Sequence, residues 1–373
     1  MVTTRWARRR LRGAPVRSLT LSLTYRCNAR CEMCHIWKKD TEREKHKELT
    51  LEEIDRLAAS AYFQNLVALG LTGGETFLYD ALPEVVEVFH RYRPPRYMSA
   101  STNGFLPERT LRIVTDVLER FTTEFWVNVS IDALDERHSQ IRGVPGALEK
   151  SKATLEQLAA LRSRHPHLGV GILFTLQPEN HDQLLPVFRY AERQGVQFRF
   201  NPINYGEEYY ERDPKVVFEQ YKEALPEIER QFAILDRECP EDLFGREFRA
   251  LFRPYVESGN DPVIPCFAAV ANAFINPYGE VFPCVPARKD FLLGSLKDES
   301  FDSIWEGGKA REVRERIRRG GCKCLITCET SNALRYSTDC QVKRIAHGLK
   351  RLLKDRHGGG PSRQAKDLDD KSV

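Results

Sequence analysis

A chain of 373 residues is long enough for one large domain or two ordinary ones, each with its own core. With 29% charged and 41% hydrophobic residues it is neither disordered nor fibrous, and no apolar run approaches the ~20 residues of a membrane span. Lys plus Arg number 57 against 53 for Asp plus Glu, with much of the excess between Arg5 and Arg17 and between Lys343 and Arg356, so there is no strong nucleic-acid signal. No signal-peptide core follows the arginine-rich start, and the chain is expected in the cytoplasm. Ten cysteines in a reducing compartment point to metal binding or catalysis rather than to disulfides. They fall as Cys27, Cys31 and Cys34, then Cys239 alone, then Cys266, Cys284, Cys322, Cys324, Cys328 and Cys340.

In chain order, residues 1–17 form a basic N-terminal arm. Residues 18–25 (SLTLSLTY) alternate apolar and polar as a half-buried strand does and run straight into Cys27, which puts the first cysteines on a loop after a strand. Thr50 opens a helix, with Glu53 three residues on as a capping box. Strands follow at 66–72, 97–102, 124–132, 169–176 and 197–203, separated by helices at 82–92, 108–120, 148–163 and 181–194. Six strands alternating with helices imply a parallel sheet with right-handed crossovers: a partial (β/α)6 TIM-like barrel over residues 18–205, with its site at the C-terminal ends of the strands. A helical linker at 206–260, a cysteine-rich domain at 261–345 and a polar tail at 346–373, expected to be disordered, complete the chain.

The spacing Cys27-x3-Cys31-x2-Cys34 lets three thiolates face one cubane cluster whose fourth iron has no local protein ligand. A structural zinc wants a fourth ligand, and His35 stands too close to Cys34 in sequence to fold back easily. The second strand ends in Leu71-Thr72-Gly73-Gly74-Glu75 and the third in Ser101-Thr102-Asn103-Gly104; Ser130 and Asp132 end the fourth, and Arg142 follows in an Arg-Gly pair. Taken singly, Gly-Gly and Asn-Gly are ordinary turns and a lone arginine is usually solvated. Together, three cysteines after the first strand of a barrel and Gly-Gly-Glu after the second resemble the radical S-adenosylmethionine (SAM) superfamily. That resemblance implies a [4Fe-4S] cluster on Cys27, Cys31 and Cys34 that reductively cleaves S-adenosylmethionine to a 5′-deoxyadenosyl radical, which abstracts hydrogen from a substrate. It also implies cofactor contacts from the Gly73 and Gly74 backbone, from the Glu75 carboxylate to the ammonium group, and from Ser101, Asn103, Ser130, Asp132 and Arg142 to the ribose and carboxylate.

Residues 274–284 (FINPYGEVFPC) read as two short strands around a Pro-Tyr-Gly turn, bringing Cys266 and Cys284 together at the hairpin's open side. With Gly294-Ser-Leu, residues 301–305 and the later cysteines, this half resembles the auxiliary-cluster extension SPASM or its shortened form, twitch. The resemblance implies at least one auxiliary [4Fe-4S] cluster, with Cys266, Cys284, Cys328 and either Cys324 or Cys322 as the first set and Cys340 as a further candidate. Cys322-x-Cys324-x3-Cys328 departs from the usual C-x2-C-x5-C, and six cysteines are two short of two fully thiolate-bound cubanes. Four or more cysteines in two groups also suit tetrahedral zinc, so a non-catalytic zinc-ribbon nucleic-acid-binding protein is the alternative outside the enzymes. Cys239, in the linker, reads as a buried small hydrophobe, with a role as hydrogen-atom donor left open. Tyr205, Glu207, Glu208, Tyr209 and Tyr210 follow the sixth strand as a polar loop or as lining of a substrate pocket.

The family resemblance implies an oxidoreductase-like enzyme or maturase, foremost in maturation of ribosomally made peptides. The alternative is radical dehydrogenation, epimerisation or deoxygenation of a small molecule, kept close because about seventeen residues before the first strand leave no room for an N-terminal peptide-recognition domain. Expected partners are the peptide or small-molecule substrate and a low-potential electron donor such as flavodoxin or ferredoxin.

Overall fold

Six parallel strands lie side by side in chain order in the computed structural model, which describes residues 15–39, 45–203, 214–240, 242–258, 266–320 and 324–336. They are β1 (Ser18–Ser22), β2 (Ala68–Thr72), β3 (Tyr97–Thr102), β4 (Glu124–Ser130), β5 (Leu168–Leu176) and β6 (Gln197–Pro202), each hydrogen-bonded to its predecessor. Between them run α1 (Leu51–Ala58), α2 (Leu82–Tyr92), α3 (Pro107–Arg120), α4 (Arg137–Arg142), α5 (Ala147–Leu161) and α6 (Leu184–Arg193). A sheet wound in one direction with a helix in every crossover is the expected partial barrel. Helices cover one face and the barrel interior fills the other, so Leu19, Leu21, Leu69, Leu71, Met98, Val127, Ile172 and Phe174 are all buried. The capping box at Thr50 and Glu53 is present at the start of α1.

Several boundaries differ from the sequence reading by a few residues, and two of them bear on the site. β1 stops at Ser22 although its alternation runs on to Tyr25, because the Thr24 carbonyl turns away to accept from Gly74 N at 2.7 Å. The sixth helix begins at Leu184; Pro178–Gln183 is a 3-10 segment in which Asn180 Nδ2 donates to the Asp132 and Thr175 carbonyls, both at 2.9 Å.

Past β6, α7 (Pro214–Glu238), α8 (Leu243–Ala250) and α9 (Phe252–Glu257) pack on the barrel through aromatic side chains. Phe200 of β6 meets Phe232 at 5.4 Å and Phe248 at 5.3 Å between ring centroids. The expected hairpin is β7 (Asn272–Ile275) and β8 (Glu280–Phe282), followed by β9 (Gly294–Ser295). β7 pairs in parallel with β1, Ser18 opposite Asn272, so the hairpin extends the barrel sheet to nine strands in the order β6-β5-β4-β3-β2-β1-β7-β8-β9.

Three helices end the described chain: α10 (Phe301–Glu306), α11 (Gly308–Arg318) and α12 (Thr327–Tyr336). The first turn of α12 is tied to both sides of the barrel opening. Thr327 N donates to Asn201 Oδ1 of β6 at 2.8 Å, and Glu329 Oε2 accepts from Asn272 Nδ2 of β7 at 2.7 Å. Among the described residues no helix is long and apolar enough to cross a membrane. The basic arm up to residue 14, Tyr205 to Tyr210, Cys322, Cys340 and the tail lie outside the described residues.

Candidate active site at the C-terminal ends of the strands

The loop after β1 is clamped from two sides. On one side Glu75 N donates to Arg26 O at 2.8 Å, and a Cβ on Gly74 would lie 2.3 Å from that same carbonyl. The glycine pair after β2 therefore serves a close approach of two backbones. On the other side Arg30 N and Glu32 N donate to the Arg142 and Ile141 carbonyls at the end of α4, each at 3.0 Å. Gly143 ends α4 at φ +63°, where a Cβ would meet Arg30 O at 2.4 Å.

Within the loop Cys31 is 7% exposed, and Cys27 and Cys34 are half-buried. Each sulfur faces an N–H: Cys27 Sγ accepts from Ala29 N at 3.4 Å, Cys31 Sγ from Arg142 Nη1 at 3.8 Å, and Cys34 from the Ile36 backbone. Burial pushes Cys27 up to about 12 and Cys34 up to about 11, and it raises Cys31 as well. Without metal these thiols stay protonated at neutral pH, and a bound cation is what would deprotonate them. Three soft sulfur donors on one loop, each already offered an N–H, fit an iron–sulfur cluster bound through three cysteines.

Above the loop the strand ends are knitted together. Glu75, 1% exposed, accepts at Oε1 from Phe77 N (3.1 Å) and Thr102 Oγ1 (2.7 Å) and at Oε2 from Asn103 N (2.7 Å); burial raises its pKa. An ionised carboxylate offers about four acceptor positions, so one remains for an ammonium group. Asn103 Nδ2 donates to Asn28 Oδ1 in the cysteine loop at 2.7 Å. Asp132, fully buried, holds Arg142 through Nε at 2.7 Å and Nη2 at 2.6 Å, accepts from Thr175 N at 2.9 Å, and donates its own N–H to His138 Nδ1 at 3.0 Å. His138 Nε2 lies 3.4 Å from Ser151 Oγ, which donates to Asn103 O at 2.7 Å. Desolvation pushes His138 down to about 4, so the ring is neutral, accepts at Nδ1 and carries its proton at Nε2.

One buried network thus runs from Cys31 through Arg142, Asp132, His138, Ser151 and Asn103 to Glu75. Ser101 and Ser130 sit half-buried at the ends of β3 and β4 beside it. Sequence reasoning missed Asn28, His138, Ser151, Thr175 and Asn180. Two signals were there: His138 stands four residues before Arg142 on one helix, and Ser151 interrupts the apolar stripe of α5 formed by Leu148, Leu155 and Leu158.

In the second half, Cys266 and Cys284 both lie near Asn272. The β7–β8 register, Phe274 opposite Phe282, continued by two residues sets buried Cys284 across from Asn272. Ala268 bridges Asn272 and donates to Cys266 Sγ at 3.4 Å. Glu329, bonded to Asn272, follows Cys328 on the first turn of α12. Cys324 is half-buried just before that turn, and half-buried Cys239 follows the end of α7.

Comparison with known proteins agrees with this division. The family model of the radical SAM superfamily matches residues 21–191, and that of an iron–sulfur cluster-binding domain, SPASM, matches residues 266–329. The second match sets the zinc ribbon aside. It takes in Cys266, Cys284, Cys322, Cys324 and Cys328 and ends before Cys340. A GTP 3′,8-cyclase of Synechococcus sp. (strain CC9902) is 30% identical over 201 residues, 50% of this chain and 55% of that protein. The antilisterial bacteriocin subtilosin biosynthesis protein AlbA of Bacillus subtilis (strain 168) is 23% identical over 290 residues, 77% of this chain and 58% of that protein. The chain therefore spans little more than half the length of these relatives. Among solved structures, native anSMEcpe with bound AdoMet and Cp18Cys peptide has a TM-score of 0.55 at 19% identity, covering 80% of this chain and 83% of that one, a likeness of fold.

Proposed function

This chain belongs to the radical SAM superfamily through residues 21–191 and carries a SPASM iron–sulfur cluster-binding domain in residues 266–329, and from that premise we propose that it performs radical chemistry on a peptide. The observation that carries the reading is the loop of Cys27, Cys31 and Cys34, clamped at the strand ends with one N–H directed at each sulfur. When bound, the cluster and S-adenosylmethionine supply an electron and an adenosyl radical that takes a hydrogen atom from the substrate. The chain's own part is to hold and orient. Cys27, Cys31 and Cys34 bind the cluster; the last acceptor position of Glu75 receives the cofactor's ammonium; Ser101, Asn103 and Ser130 offer polar groups to its ribose and carboxylate. Cys266, Cys284, Cys328 and Cys324 or Cys322 bind an auxiliary cluster.

The peptide as substrate is supported by AlbA, a bacteriocin biosynthesis protein whose similarity spans 77% of this chain. A second reading, a small-molecule substrate such as a nucleotide, is favoured by the GTP 3′,8-cyclase relatives. A flavodoxin or ferredoxin in a reducing cytoplasm would suit a site built on cysteines. The test is anaerobic reconstitution with iron, sulfide and S-adenosylmethionine. We expect 5′-deoxyadenosine from the native chain and none from Cys27→Ala/Cys31→Ala/Cys34→Ala; undiminished cleavage in the triple variant overturns the reading. A mass change in a co-expressed precursor peptide supports the peptide, and turnover of GTP by the same preparation supports the nucleotide.

A further inference from the structure

The guanidinium of Arg142 joins the buried Asp132 to the cysteine loop. Nε and Nη2 are both held by Asp132 Oδ2, at 2.7 and 2.6 Å, and Nη1 reaches Cys31 Sγ at 3.8 Å. Cys27 and Cys34 take their N–H from the backbone two residues on, whereas Cys31 takes this one from a distant side chain. The Arg142 carbonyl meanwhile accepts from Arg30 N at 3.0 Å, one residue before Cys31. Arg142 thus grips the same loop by backbone and side chain, and the buried Asp132 fixes the direction of its fork.

We propose that Arg142 is a positioning residue for the cluster: it donates a hydrogen bond to the Cys31 sulfur and, with Asp132 as its counter-charge, sets the cluster's reduction potential. The inference rests on the cluster reading of the cysteine loop. Cluster potentials respond to net charge and to hydrogen bonds on the sulfurs. One-electron reduction adds a negative charge, which a guanidinium N–H aimed at sulfur favours and a nearby carboxylate disfavours. Arg142 therefore raises the potential and Asp132 lowers it.

That opposition separates an electrostatic role from a merely structural one. Potentials are read by redox titration followed by electron paramagnetic resonance, on the signal that changes when S-adenosylmethionine is added. The double variant Asp132→Asn/Arg142→Gln removes both charges together with the N–H···S bond, and its amides can pair with each other. The ratio of reduced to oxidised cluster at a fixed poise should fall about tenfold, a shift of ~59 mV for one electron. Asp132→Asn alone keeps the cation beside Cys31 and should shift the potential upward. Arg142→Lys keeps the charge but loses the planar fork and should shift downward by less than the double variant. Potentials that coincide in all four proteins, or that move the same way in both Asp132 variants, overturn the proposal. If Asp132→Asn fails to take up iron, Arg142→Lys against the native chain decides, and no downward shift overturns the proposal. A native chain without iron and sulfide defeats the cluster reading itself, whereas a native cluster whose potential ignores Arg142 defeats only this inference.

Discussion

His138 joins the loop after β4 to α5, and its burial gives it a measurable pH signature. Its folded pKa of about 4 lies below the 6.5 of an unperturbed imidazole, so between these values the unfolded chain binds a proton that the native chain refuses. Stability is therefore complete above pH 6.5 and is lost as pH falls toward 4, by up to about 3 kcal/mol from this group. His138→Asn keeps an acceptor for Asp132 N but cannot titrate. Urea unfolding at pH 7 and pH 4.5 should show a smaller drop in that variant than in the native chain, and equal drops would exclude the role. Glu75 belongs to the same network and makes a second prediction. In Glu75→Gln, the new amide N–H groups face donors on Phe77 N, Thr102 Oγ1 or Asn103 N. The variant should lose about 1–3 kcal/mol of folding stability even before any cofactor is added, read as a lower urea midpoint. Glu75 and Asn103 were legible in the sequence because they sit in motifs. What they touch was not, since Glu75 to Asn103 and Asn28 to Asn103 are contacts between loops on separate strands.

Among the elements, α12 depends most on others for its place. Its first turn borrows an acceptor from β6 through Asn201 and a donor from β7 through Asn272, and Glu329 between the elements is a buried carboxyl that needs its partner. Asn272→Ala strips the hydrogen bond from Glu329, and Asn201→Ala strips the cap from Thr327. A loss of 1–2 kcal/mol corresponds to a factor of about 5–30, and amide exchange in α12 should accelerate by that much in either variant while β2 to β5 stay protected. Unchanged exchange in α12 would mean that its apolar contacts alone hold it. The barrel strands and helices could be read from period and capping because those signals are local: Thr50 with Glu53, and the alternation of 97–102. The 3-10 segment at Pro178–Gln183 escaped because Asn180 bonds to Asp132, 48 residues away. The pairing of β7 with β1 escaped for the same reason, since no local pattern announces a partner more than two hundred residues earlier.

At the scale of the whole molecule the auxiliary-cluster segment is part of the barrel's construction. Its hairpin lengthens the sheet at β1, while its last described helix reaches β6 at the other end. The sheet's hydrogen bonds need no cluster, so the barrel should fold and load the first cysteine loop even when the second set is disabled. The Cys266→Ala/Cys284→Ala chain should then lose about four irons while the first cluster remains, given four irons per cubane. The native chain should hold about eight. Cleavage of S-adenosylmethionine should persist in the variant but run uncoupled from product, because the proposed site of electron delivery lies on the β1 loop, whereas Cys266 and Cys284 flank the β7–β8 hairpin. Four irons and one zinc in the native chain would refute the auxiliary cluster, and about twelve irons would require Cys340 and whichever of Cys322 and Cys324 the first set leaves over to build a third cluster with two ligands from elsewhere. Loss of all iron from the variant, with circular dichroism unchanged, would contradict independent loading and make the Asn272 side of the molecule a condition for the first site.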